Sequence, residues 1–203
     1  MSKLLVDALR HTSASSDAVT LDSSGNITVE GNLTVDGTST LTGAVTGDNG
    51  KFASYAQVSH KENGGTNGGD LTNGAWRTRT LNTEDFDADG ITSLSSNQFT
   101  LQAGTYFIEA YTAQYRTDFT STRIYNATDA SVTFEGIGVA NSAGQNLQSM
   151  NYVSGRVTIS GAKAFEVQSR CQTTKASNGA GYSDSGFGNT KETYVICKIY
   201  KEA

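Results

Sequence analysis

The sequence predicts an all-β protein: an N-terminal β-stalk of hexapeptide repeats, then an antiparallel jelly-roll sandwich, the whole assembled as a homotrimer. Three observations lead there. First, between Gly25 and Gly47 the chain counts in sixes, GNITVE, GNLTVD, GTSTLT, GAVTG. Each unit opens on glycine and then alternates, so that Ile27, Val29, Leu33, Val35 and Leu41 share one side while threonines and acids take the other. Second, the chain has 22 glycines, no proline and only 17% charged residues. That is a turn-rich, hydroxyl-rich composition suited to strands. Third, from Ala75 onward every ordered stretch reads as a short strand bounded by Gly, Asn, Asp or Ser, and no helix signal appears after residue 20.

The hexads decide the assembly. A β-solenoid needs roughly three such units per coil and several coils to stack a core, and about four units are present. Three copies wound around one narrow apolar axis solve this, so the segment is read as a trimeric stalk. The chain is divided accordingly into an adaptor over 1–24, the stalk over 25–50 and a sandwich head over 51–203. In the adaptor, Leu4, Leu5, Val6 and Leu9 form a short apolar face, either a frayed end or a plug that anchors the chain in a partner particle.

Composition also excludes. A net charge of −5 argues against nucleic acid and against an anionic membrane surface as partners. No stretch approaches the roughly 20 apolar residues of a membrane span, so membrane insertion is not expected. The start, MSKLLVDALRH, lacks the apolar core of a secretory signal; synthesis in a cytoplasm without general secretion is the expectation. Cys171 and Cys197 lie in strand-like runs at depths that do not match across a hairpin, which favours two buried free thiols over a disulfide.

In the head, strands are predicted at Phe52–Val58, Trp76–Leu81, Gln98–Leu101, Thr105–Tyr115, Ser121–Asn126, Ser131–Val139, Gln148–Ser160, Ala164–Cys171 and Thr193–Tyr200. The glycine-rich stretches 63–74 and 174–191 are predicted loops, the first flexible by composition. With the stalk and the C-terminus at one end of the head, both loops fall at the opposite tip.

Several of these runs carry a resemblance. Trp76-Arg77-Thr78-Arg79-Thr80-Leu81-Asn82-Thr83, Asp89-Gly90-Ile91 and Leu101-Gln102-Ala103-Gly104-Thr105-Tyr106-Phe107-Ile108 resemble the heads of bacteriophage virion proteins, which belong to the tumour-necrosis-factor-like jelly rolls shared with complement globular heads. Arg123–Asp129 and the closing strand Tyr194–Lys201 fit the same pattern, and the hexads resemble stalks of phage tail fibres. The resemblance implies a tight homotrimer on a virion surface, joined to tail or capsid proteins through its N-terminus. The expected role is a short tail fibre or spike that contacts a host-surface glycan or protein. A trimeric capsid decoration protein and a non-viral lectin-like adhesion module are the alternatives.

Candidate sites are few. Tyr182, Asp184 and Phe187 punctuate the 174–191 loop and are the expected receptor contacts, unless the aromatics tuck back to close the barrel. Asp85, Asp87 and Asp89, followed by Gly90, match the opening of a calcium loop. The twelfth position, however, is Ser96 where a bidentate glutamate is needed, so a plain turn is the other reading. Trp76 is expected in the core or a subunit contact, and some of Tyr106, Phe107, Tyr111 and Tyr115 between subunits. His11 and His60 stand apart, and there is no nucleophile elbow, phosphate loop or Cys/His metal cluster. No enzymatic activity is expected, and no cofactor beyond a possible calcium ion.

Overall fold

The computed structural model describes residues 8–9, 19–21, 23–24, 26–29, 52–183 and 188–202. The chain divides into two units, Met1–Thr46 and Gly47–Ala203. In the first, β1 (Ala8–Leu9), β2 (Val19–Leu21) and β3 (Ile27–Val29) form an antiparallel meander in that order. Val19 pairs with Val29 and Leu21 with Ile27, around a turn at Ser23-Ser24. The first hexad is therefore paired within its own chain, across the boundary drawn at residue 24/25. Leu9 lies in β1; Leu4, Leu5, Val6, Leu33, Val35 and Leu41 lie outside the described residues. Ile27 remains 65% exposed and Val29 half-buried.

The second unit carries β4 (Phe52–Asn63), β5 (Arg77–Thr78), β6 (Thr83–Asp87), β7 (Thr92–Ser95), β8 (Gln98–Leu101) and β9 (Gly104–Tyr115). These are followed by β10 (Phe119–Asn126), β11 (Ser131–Glu135), β12 (Val139–Ala140), β13 (Gln148–Ile159), β14 (Lys163–Cys171) and β15 (Lys191–Glu202). One sheet runs β13-β9-β15-β4-β6; the other runs β11-β10-β14-β8-β7, with β12 added beside β10 and β5 beside β14. All named pairings are antiparallel. The chain crosses between sheets from β8 to β9 to β10 and again from β13 to β14 to β15, which is the Greek-key winding of a jelly roll.

Period-two alternation fills the space between the sheets. Val58, Tyr106, Ile108, Cys197 and Ile199 from one sheet meet Phe99, Leu101, Ile124, Phe165 and Val167 from the other, all fully buried. Phe99 and Phe165, paired across β8 and β14, stack at 5.7 Å. Farther along the same inward faces the residues turn polar: Thr112 and Gln114 on β9, Thr122 on β10, Ser169 on β14. They hydrogen-bond to one another, with Thr112 Oγ1 2.6 Å from Thr122 Oγ1 and Gln114 Nε2 donating to Thr112 Oγ1 at 2.6 Å, while Gln114 Oε1 is left without a partner among the described residues. They form a buried polar layer beneath one end of the sandwich.

Both cysteines are free and buried, although not by way of a shared hairpin. Cys171 sits on β14 and Cys197 on β15, in different sheets. Burial, then the nearby Glu109, pushes the Cys197 thiol far above its ordinary range. Because the thiolate is the reacting species, a thiol-directed reagent at pH 8 should leave Cys197 unmodified in the native protein and label it once urea unfolds the chain. Fast labelling of Cys197 without denaturant would refute this packing.

Candidate functional site

Three places hold the side chains singled out by the sequence. The acidic run does not converge on a point. Residues 85–87 belong to strand β6, hydrogen-bonded to β4, with Gln57 opposite Phe86 and Ala56 opposite Asp87. Burial alone would raise the pKa of Asp85, but hydrogen bonds from Lys61 and Gln57 outweigh it and hold the carboxyl below its usual range. Both oxygens of Asp87 cap the following turn, accepting the Ile91 and Thr92 amides at 2.8 Å each. Asp89 is exposed. These residues do not build a calcium shell, and among the described residues no group of three or more His, Cys, Asp or Glu side chains is placed to hold a metal ion.

The two glycine-rich loops meet, and they are not free. Gly68 N–H donates to Gly181 O at 2.8 Å and Ala180 N–H to Gly69 O at 3.0 Å. Leu71 and Lys175 form a two-way bridge, their amides donating at 3.0 and 2.9 Å. Tyr194 OH donates to Thr66 O at 2.6 Å beneath them. The composition that read as a flexible loop serves a close approach of two backbones. Tyr182 lies on this end, 44% exposed, its ring stacked on buried Tyr115 at 4.7 Å and its amide donating to Gln148 Oε1 at 2.7 Å. It therefore tucks one face back and leaves the other to solvent. Asp184 and Phe187 lie outside the described residues.

The most conspicuous surface is one that the sequence reading marked only in part: the outward face of the β13-β9-β15-β4-β6 sheet. Cross-strand pairing sets it out in rows. Tyr55, Tyr200, Phe107 and Arg156 form one; Gln57, Lys198, Glu109 and Ser154 the next; Ile196, Tyr111 and Tyr152 a third. Tyr200 touches Phe52 at 5.1 Å and Tyr55 at 5.0 Å, and Tyr111 touches Tyr152 at 5.0 Å. Phe86 on β6 extends the patch, 50% exposed, and Phe52 is 41% exposed. At its centre Lys198 pairs with Glu109 at 3.3 Å, and the hydroxyls of Tyr152 and Tyr200 donate to the same carboxylate at 3.3 and 3.4 Å. Phe107 and Tyr111 therefore do face outward, whereas Tyr106 is a core residue and Tyr115 belongs to the loop end. The missed partners, Tyr55, Tyr152 and Tyr200, occupy the non-core positions of strands whose core alternation was plain. Trp76, expected in the core or a contact, lies half-buried on the other sheet's surface beside Arg123. His60 is a buried histidine that bonds Glu62 at 3.0 Å, and desolvation lowers its pKa.

No protein-family model matches the chain, and no curated protein matches it in sequence. Among solved structures, it is similar to the globular domain of zebrafish complement 1qA protein, with 14% identity and a TM-score of 0.46, covering 72% of this chain and 95% of that one. Murine APRIL at pH 8.0 is similar at 10% identity and a TM-score of 0.46, over 73% of this chain and 98% of that one. Both are jelly-roll globular domains of the C1q/TNF type.

Proposed function

We propose that this chain is a virion structural protein, a homotrimeric short tail fibre or spike whose jelly-roll unit contacts a host surface. The observation that carries the assembly is the aromatic outward face of the β13-β9-β15-β4-β6 sheet. Fully covering an aromatic or large aliphatic side chain is worth roughly 1.5–3 kcal/mol over leaving it exposed, and here several rings around Tyr200 and Tyr111 are only half covered by their own chain. Large apolar patches of this kind mark contact surfaces. The half-buried Glu109–Lys198 pair at the centre, with two tyrosine hydroxyls already satisfied, can enter an interface without leaving a charge unpaired. Ile27, uncovered in the first unit, supports the reading of the hexads as a segment completed by other chains. The phage role rests on the resemblance of the hexads and of the Trp76–Thr83 and Leu101–Ile108 runs.

Sedimentation of the purified protein should give three times the 21.4 kDa chain mass. Tyr200→Asp, which sets a charge beside Tyr55 and Phe107, should shift it to the single-chain mass while the β-sheet circular dichroism is retained. A wild-type monomer at micromolar concentration overturns the assembly. Adsorption of the trimer to host cells, in competition with the phage, supports attachment. Saturable binding to empty capsids with no cell binding would instead make it a decoration protein.

A further inference from the structure

The outward face of the opposite sheet holds a second surface of different chemistry. Along the β10–β14 ladder, Ser121 is opposite Arg170, Arg123 opposite Gln168 and Tyr125 opposite Glu166. Trp76, just before β5, lies over this face with the Arg123 guanidinium 4.3 Å and the Arg170 guanidinium 5.6 Å from its ring centre. Two hollows flank Arg170. One, of about 470 Å³, lies between Phe119, Ser121, Val139, Arg170 and Gln172; the other, of about 160 Å³, lies between Gly74, Trp76 and Arg170. Phe119 walls the larger hollow and is 66% exposed.

Charge on this face is unevenly matched. Glu166 is fully engaged, accepting from Thr78 Oγ1, Gln98 Nε2 and Gln168 Nε2 at 2.7, 2.8 and 2.6 Å. Asp118, which precedes Phe119, accepts the Ala143 amide and the Thr173 hydroxyl. Arg123 donates to Gln168 Oε1 at 2.8 Å and has Glu135 opposite it on β11. Arg170 differs: among the described residues its side chain has no hydrogen bond and no ion pair, only the Trp76 ring. A planar fork of donors is thus left open, with the Trp76 ring beside it and Phe119 lining the same larger hollow.

We infer that this track, Phe119–Arg170–Trp76, binds a carboxylated saccharide, one sugar over each aromatic and a carboxylate on the Arg170 fork. The guanidinium matches a carboxylate in two-point geometry. Phe119 and Trp76 offer flat apolar faces to the C–H face of a pyranose, and Ser121 and Gln172 supply the neutral donors and acceptors that sugar hydroxyls require. An acidic peptide fits less well, because peptide anchors need deep, desolvated apolar pockets and these hollows are open and polar-rimmed. The inference supplies a ligand class for the proposed host contact and does not depend on the trimer, which sedimentation tests separately.

Trp76 is the protein's one tryptophan, so its fluorescence reports on the site directly. Titrating the full chain with a hexamer of galacturonic acid should change the emission saturably, with a Kd of about 1 mM or tighter. Arg170→Gln, at an exposed position where folding is not at stake, should weaken binding about tenfold. Phe119→Ala should weaken it severalfold, and the fully methyl-esterified hexamer should bind the wild type as poorly as the acid binds Arg170→Gln. No saturable response overturns the inference, as does equal binding of acid and ester or indifference to Arg170→Gln. A glutamate hexapeptide that binds as tightly as the sugar would also overturn it, reducing the site to charge alone.

Discussion

Replacing Arg79 with methionine should cost about 3–5 kcal/mol of stability, read as a lower urea midpoint with an unchanged slope. Arg79 is 2% exposed, between the sheets, and among the described residues no carboxylate pairs with it. Its guanidinium donates to Ala113 O at 2.9 Å, Ser169 Oγ at 3.4 Å and Ala180 O at 2.5 Å. It thereby ties β9, β14 and the 174–183 loop to one group. Burial pushes its pKa down to about 10, which still leaves it protonated at neutral pH. The sign follows: the folded state holds this proton less tightly than the unfolded chain does. The penalty is therefore constant through neutral pH and lessens only as pH rises above about 10. Methionine fills similar volume but strands the carbonyls of Ala113 and Ala180 in a dry interior, each worth roughly 1–3 kcal/mol when unsatisfied. Arg79→Lys keeps the charge and loses the fork, so an intermediate loss is expected. A loss under 1 kcal/mol for Arg79→Met would show that the guanidinium is not what holds the loop down.

Arg79 also marks where sequence reading stops. Alternation located the long strands closely, and Gln98–Leu101 matched to the residue, because a buried face imposes a period of two on apolar residues. The same rule failed where the buried face became polar. Thr112, Gln114, Thr122 and Ser169 obey the alternation but carry no hydrophobic signal, and the charge of Arg79 gives no sign of its burial. Strand β6 was missed because its acids suggested a turn; its order comes from pairing with β4, a contact distant in sequence. The aromatic sheet face was legible only as Phe107 and Tyr111. Tyr55, Tyr152 and Tyr200 join them through cross-strand register, which a single strand's pattern does not contain. The open guanidinium of Arg170 was invisible for the opposite reason: it is defined by which carboxylates are already occupied.

Gly181→Ala is expected to be a highly damaging substitution for the addition of a single methyl group. Gly181 has φ +137°, which L side chains rarely adopt, and a Cβ there would lie 2.0 Å from Tyr194 Cδ1 and 2.6 Å from Cε1. The ring cannot step aside cheaply. Tyr194 is 3% exposed, and its hydroxyl is held by Thr66 O. Across the gap, a Cβ on Gly68 would meet Ala180 O at 2.6 Å, so the opposing loop cannot withdraw without losing the Gly68–Gly181 hydrogen bond. Backbone strain of roughly 1–3 kcal/mol and overpacking of similar size add up to about 3 kcal/mol or more. Gly161→Ala is the control, since a Cβ there meets nothing within 4 Å and its φ is ordinary; it should change stability by less than about 1 kcal/mol. A local readout separates loop opening from general loss. Burial pushes the Tyr194 phenol up to about 12. The unfolded chain gives up that proton near 10, so the native protein loses stability as pH climbs from about 10 to about 12. If Gly181→Ala lifts the two loops off Tyr194, the phenol should titrate nearer 10 in a variant that keeps its β-sheet spectrum, and amide exchange should quicken at Gly68 and Ala180. A variant as stable as wild type, with Tyr194 still shielded, would mean that the loops have room to spare and that their glycines are not there for close packing.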